Sequence, residues 1–207
     1  MERIIENFRH AERLLEGTAA WRSIDSAIKS ITRDLVLEEQ RRLATLGRAP
    51  KGGQTAFNRL FERLLPYESG WTRQPRLFRD PELSEWKMDF LKDRIGVEVS
   101  FNHAEAIPWQ FTRLNIAGES ERVLAESRVD VGVVITADVT LKTWSHMDGS
   151  VGTFDAFRAW LREMKPILPV PILVIGLRAD GWAPTTAFAG TAKGTRTSLV
   201  HLEDSSA

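Results

Sequence analysis

Two carboxylates and a hydroxyl lie close together in the stretch MDFLKDRIGVEVSF, residues 88–101: Asp89, Glu98 and Ser100. Glu is a poor strand former and costly to bury, yet Glu98 stands in the middle of an apolar run that reads as a strand over 96–101. Alternation along that strand puts Glu98 and Ser100 on one face and Val97, Val99 and Phe101 on the other. A second strand over 87–91, joined tightly around Lys92, Asp93 and Arg94, returns Asp89 beside Glu98. Carboxylates so placed repel each other unless a cation lies between them. A divalent metal resolves the conflict, with the Val99 carbonyl as a third oxygen ligand, and an all-oxygen set suits a hard ion such as Mg2+. Such an ion lowers the pKa of a bound water and offsets charge on a phosphate. The spacing Asp-x8-Glu-x-Ser has almost no specificity by itself, since acidic pairs near strand turns are common.

The surrounding elements must hold this hairpin in place. Residues 2–16 and 20–46 read as helices, the second with Ile24, Ala27, Ile28, Ile31 and Leu35 at helical spacing. The segment GRAPKGG, 47–53, breaks the pattern. A shorter helix over 54–65 carries Phe57, Leu60, Phe61 and Leu64 on one face, and a loop runs from 66 to 85. Beyond the hairpin, a helical region starting at Pro108 extends to 125. RVDVGVVITA, 128–137, is a strand apolar enough to be covered on both faces. A polar loop over 140–152, a helix over 154–164 and a buried strand over 171–177 complete the core, with a candidate last strand at 197–202. The order implies an α/β sheet with helices on its faces, one domain spanning 1–207.

Composition narrows the chemistry. The chain has 207 residues, 43% of them hydrophobic, enough for one sizeable core. Cys is absent, which excludes thiolate catalysis and disulfides and fits a cytoplasmic setting. Four His residues make a multi-histidine zinc site a poor fit. The apolar stretches are too short to span a bilayer, and the charged N-terminus does not read as a signal peptide. With 28 basic and 28 acidic residues the net charge is zero. That argues against a non-specific polyanion binder but permits positive charge gathered on one face.

The pattern MDF-x7-VEV-x-F resembles the core of the BglII-type restriction endonucleases, of the PD-(D/E)xK nuclease superfamily. The likeness runs along nearly the whole chain in order: His10-Ala11, Leu14 and Trp21 near the start, VVIT at 133–136, VPILVIGL at 170–177, and a basic segment at 193–196. It implies a restriction-endonuclease-like central mixed sheet flanked by helices and carrying a catalytic hairpin. It also implies a type II enzyme that cuts double-stranded DNA as a homodimer with Mg2+, at a palindrome built around GATC, alongside a cognate methyltransferase. Asp89 and Glu98 then become the metal ligands. Ser100 occupies the third catalytic position, usually Lys and in the enzyme that names the family Gln. This departure matters, because a hydroxyl brings no positive charge. Lys87 and Lys92 are nearby substitutes, and Glu62 on the 54–65 helix is a candidate addition to the metal site.

The same resemblance assigns DNA contacts to Asn102 and His103 after the catalytic strand, to His146 and Asp148 in the loop SHMDG, and to Lys193 and Arg196 in the tail. Asn suits adenine edges and His can donate to guanine. A polar strand end, a surface histidine, a solvated loop and a merely soluble tail are the plainer alternatives for these residues. Two further readings of the whole chain stay open from sequence: a nuclease-fold DNA-binding protein impaired in cleavage, and a repair or junction nuclease of the same superfamily.

Overall fold

The computed structural model describes residues 1–47 and 51–188. Lys193, Arg196 and the candidate strand over 197–202 lie outside the described residues. Among the described residues six strands form one mixed sheet: β1 (Glu2–Phe8), β2 (Thr72–Arg73), β3 (Phe90–Lys92), β4 (Ile95–Ser100), β5 (Val131–Ala137) and β6 (Ile172–Arg178), in the order β1-β6-β5-β4-β3-β2. The central β4, β5 and β6 run parallel, whereas β1 is antiparallel to β6 and β3 antiparallel to β4. Every residue of β4 and β5 is buried, as expected of strands covered on both faces.

Among the described residues seven helices supply that cover: α1 (Ala11–Leu15), α2 (Ala19–Ser30), α3 (Arg33–Thr45), α4 (Gln54–Leu64), α5 (Ile107–Glu119), α6 (Val139–Trp144) and α7 (Phe154–Met164). One face of the sheet, with Val97, Val99, Val133, Ile135 and Ile175, packs against α1 to α4 and α6. The opposite face, with Val134, Ile172 and Val174, packs against α5 and α7 through Phe111, Leu114 and Phe157. Glycines let α5 approach the sheet closely. A Cβ on Gly96 would meet Leu114 at 3.0 Å and Val129 at 2.8 Å, and one on Gly132 would meet Leu114 at 2.8 Å.

Three expectations from the sequence need correction. Residues 2–8 form a strand rather than the start of a helix. Ile4, Phe8, Ala11 and Leu15 recur at helical spacing, but seven register pairs with β6 outweigh that pattern, and Arg9 and His10 at φ 52° and 58° end the strand. The helix expected over 20–46 is two helices. Ile31 buries its side chain in extended conformation, and the Thr32 hydroxyl caps α3 by accepting the Leu35 N–H at 3.2 Å. The loop expected over 140–152 begins with α6, nucleated by the Asp138 carboxylate, which accepts the N–H groups of Thr140 and Leu141. Among the described residues no helix is long and apolar enough to cross a membrane.

The hairpin itself turns tightly. Asp93 and Arg94 both have positive φ, 51° and 60°, the backbone that suits a two-residue connection between twisted strands. Arg94 pairs with Asp130 at the head of β5, Nε to Oδ2 2.7 Å.

Candidate active site

Phe90 pairs with Val97 across the hairpin, so the antiparallel register brings Asp89, one residue earlier, level with Glu98. The Asp89 carboxylate accepts the backbone N–H of Val99 at 2.8 Å. Its own carbonyl accepts the N–H of Gln74 at 2.9 Å, and Gln74 adopts φ 46°. Asp89 is therefore held from both sides by backbone.

Glu98 is 1% exposed and faces α5, opposite to Val97 and Val99. Arg113 grips it with two parallel hydrogen bonds, Nε to Oε1 and Nη2 to Oε2, each 2.8 Å. This fork satisfies both carboxylate oxygens in a planar geometry that only Arg provides. Even so, burial pushes the Glu98 carboxyl up to about 7, with repulsion from Asp89 adding to the rise. Burial likewise raises Asp89, and Glu62 on α4 contributes repulsion. The wall is thus a pair of strained carboxyls with one guanidinium beside them.

These groups line one cleft of about 540 Å3. Asp89, Glu98, Val99 and Arg113 line it together with Asn58, Arg59 and Glu62 of α4 and with Arg73, Gln74 and Asn102. Arg59 pairs with Glu62 at 2.6 Å, and Arg73 donates to the Glu62 carbonyl. Ser100 is not among the lining residues. It is 1% exposed, and its hydroxyl accepts Nε2 of the buried Gln110 at 2.5 Å. Lys92 is also turned elsewhere, its ammonium donating to the Ser69 carbonyl at 2.7 Å.

Asn102 and His103 continue from β4 into a knot with the 145–151 loop. The Asn102 carbonyl accepts the Gly152 N–H at 3.0 Å, and the Ala104 N–H donates to the Ser150 carbonyl at 2.8 Å. Asp148 accepts both the N–H and hydroxyl of Ser150, which holds its carboxyl below the ordinary range, with His103 adding attraction. Asn102, His103 and Asp148 are thereby brought to one end of the sheet. His146 is not part of that group: exposed and at φ 50°, it lines a separate groove with Thr143 and Trp182.

Arg113 and Gln110 escaped the sequence reading. A signal existed: on α5 the two polar residues, three apart, share the sheet-facing side with the buried Ile107, Phe111 and Leu114. Polar groups on an apolar stripe must meet partners across the interface. Among the described residues no three Asp, Glu, His or Cys side chains cluster as a metal cage. Asp89, Glu98 and Val99 nevertheless line the same cleft, and two carboxylates with a backbone carbonyl would be an all-oxygen set. Two carboxylates completed by waters and substrate phosphate match the way Mg2+ is usually bound.

A mixed sheet whose central hairpin delivers two carboxylates to such a cleft defines a restriction-endonuclease-like α/β protein. The chain belongs to the BglII/BglIII restriction endonuclease family, whose model matches residues 4–177, from β1 into β6. It is therefore of the type II restriction endonuclease class, enzymes that hydrolyse DNA and generally use a divalent metal. Its fold is similar to that of BglII bound to a DNA 16-mer, with TM-score 0.66, 16% identity, and coverage of 88% of this chain and 79% of that one. Free BglII matches with TM-score 0.59, 16% identity, and coverage of 88% and 82%. No curated protein matches the sequence.

Proposed function

We propose that this chain binds double-stranded DNA across the Asp89–Glu98 cleft and, as a homodimer, cuts both strands of a short palindrome with Mg2+. The observation that carries the reading is the joint presence of Asp89, Glu98 and Val99 on one cleft wall flanked by Arg59, Arg73 and Arg113. Asp89, Glu98 and the Val99 carbonyl would hold the ion, which supplies an activated water and offsets charge on the phosphate. The chain's own groups prepare the site. The Val99 N–H fixes the Asp89 carboxylate, and the Arg113 fork fixes that of Glu98. Arg59 and Arg73 are suited to the phosphates that flank the cut. Asn102, at the cleft border, with His103 and Asp148 nearby, is placed to read base edges.

Two-fold symmetry of a dimer would mirror the two-fold symmetry of the target, each subunit cutting one strand. An enzyme of this kind endangers its own genome, so a methyltransferase of matching specificity is the expected companion. The test is a plasmid cleavage assay with and without magnesium, the products being mapped for a fixed site. Magnesium-dependent cutting at one sequence supports the reading. Binding without cutting at any magnesium concentration would overturn it.

A further inference from the structure

The signature's third position, usually a Lys, is Ser100 here, and it is sealed off. Its hydroxyl is buried against Gln110 and does not line the cleft. Lys92, the nearest sequence candidate for a replacement charge, is committed to the Ser69 carbonyl and lies over the Trp71 ring. The cleft floor still holds two carboxylates at the spot where a DNA phosphate must arrive. Arg59 and Arg73 line the same cleft, but both are engaged with Glu62, so another fixed cation has to offset the pair.

We propose that Arg113 is that cation: a positioning residue that supplies, from α5, the positive charge the catalytic strand lacks, and that orients both oxygens of Glu98. The inference rests on the nuclease reading of the cleft and adds to it a division of labour between strand and helix. Its geometry is specific. Close approach of α5 at Gly96 and Gly132 brings the helix within reach, and the fork uses Nε and Nη2. Nη1 makes no hydrogen bond with any described residue, and the side chain is 27% exposed, in the cleft. A guanidinium so placed neutralises Glu98 in the absence of metal. It makes the empty cleft tolerant of DNA, which two bare carboxylates would repel.

The experiment measures affinity for a mixed-sequence DNA duplex by fluorescence anisotropy, without metal and then with calcium chloride, alongside cleavage of plasmid with magnesium. Arg113→Gln should weaken metal-free binding on the order of tenfold, and calcium should recover most of the loss because a second cation then offsets the carboxylates. Arg113→Lys should restore metal-free binding but not the cleavage rate, since an ammonium cannot hold two oxygens in plane. The double variant Arg113→Gln with Glu98→Gln removes both charges and should bind metal-free DNA at least as well as wild type. It also carries the test if Arg113→Gln alone folds poorly. Loss of binding that is equal with and without calcium, and not relieved by Glu98→Gln, would reduce Arg113 to a structural strut. Unchanged metal-free binding in Arg113→Gln would overturn the inference while leaving the nuclease reading intact. Wild-type protein that neither binds nor cuts the duplex would overturn both.

Discussion

The carboxylate of Asp89 accepts the backbone N–H of Val99 at 2.8 Å, so one acidic group of the cleft is oriented by the residue that directly follows the other. Asp89 is thereby tied to the hairpin backbone, while the Glu98 carboxylate beside it is held from α5 by Arg113. Their repulsion is built in and must be relieved by a cation or a proton.

Replacing either carboxylate should therefore separate activity from stability. Asp89→Asn and Glu98→Gln should each lower cleavage by about a thousandfold or more, the scale of losing a principal electrostatic contributor. Both should leave the metal-free fold intact, and removing one charge relieves the other. Single-turnover cleavage together with thermal unfolding of the metal-free variants checks both halves.

Metal-free stability should fall as pH rises toward neutrality. An unfolded chain ionises Glu98 near its ordinary value of 4.5, whereas the folded chain holds the proton until about 7. The folded state then binds more protons between those values, so this contribution to stability is present at low pH and is lost as pH rises through the window. The loss is on the order of 3 kcal/mol. Asp89 acts in the same direction. Denaturant midpoints at about pH 5 and about pH 8 should differ in wild type and converge in Glu98→Gln. Added magnesium should flatten the same dependence.

Ser100 should behave as a buried structural group. Ser100→Ala leaves the Gln110 amide without its acceptor and should cost about 1–3 kcal/mol of stability. Cleavage at saturating magnesium should change less than about tenfold, well short of the Glu98 effect. Ser100→Lys, although it rebuilds the commoner motif, would bury an ammonium against Gln110 and should destabilise the protein. A gain of cleavage in Ser100→Lys would show that position 100 reaches the cleft after all.

Specificity and affinity should separate along the cleft border. Asn102→Ala should cost about 1–3 kcal/mol of discrimination at one base pair. Arg59→Ala should instead weaken all sequences alike and lower the salt slope by about one. Binding isotherms on matched and mismatched duplexes across salt concentrations distinguish the two.

The hairpin and the central strands were readable because their signals are local. Period-two alternation places Glu98, and unbroken apolar runs mark β5 and β6. The N-terminal strand is not legible in sequence because Ile4, Phe8, Ala11 and Leu15 satisfy a helical period, and only pairing with β6 decides for a strand. Asp89 and Glu98 could be singled out by type and register. Arg113 is marked only as a polar residue on the apolar side of α5: its partner lies fifteen residues away on another element, and nothing in a helical pattern says which carboxylate a guanidinium will meet. The exclusion of Ser100 from the cleft has the same origin, since the Gln110 contact that seals it forms only when α5 docks.

Alternation along β4 has one more effect, on folding fidelity. Val97 and Val99 enter the layer beneath α1 to α4, while Glu98 points to the other side of the sheet. A slip of one residue in strand pairing would exchange them, thrusting a carboxylate into hydrocarbon far from Arg113 and turning two valine side chains toward α5. The misregistered hairpin is thus penalised by the buried carboxylate itself. Substituting Glu98 by an apolar side chain would remove the feature that tells the chain which way up the strand belongs.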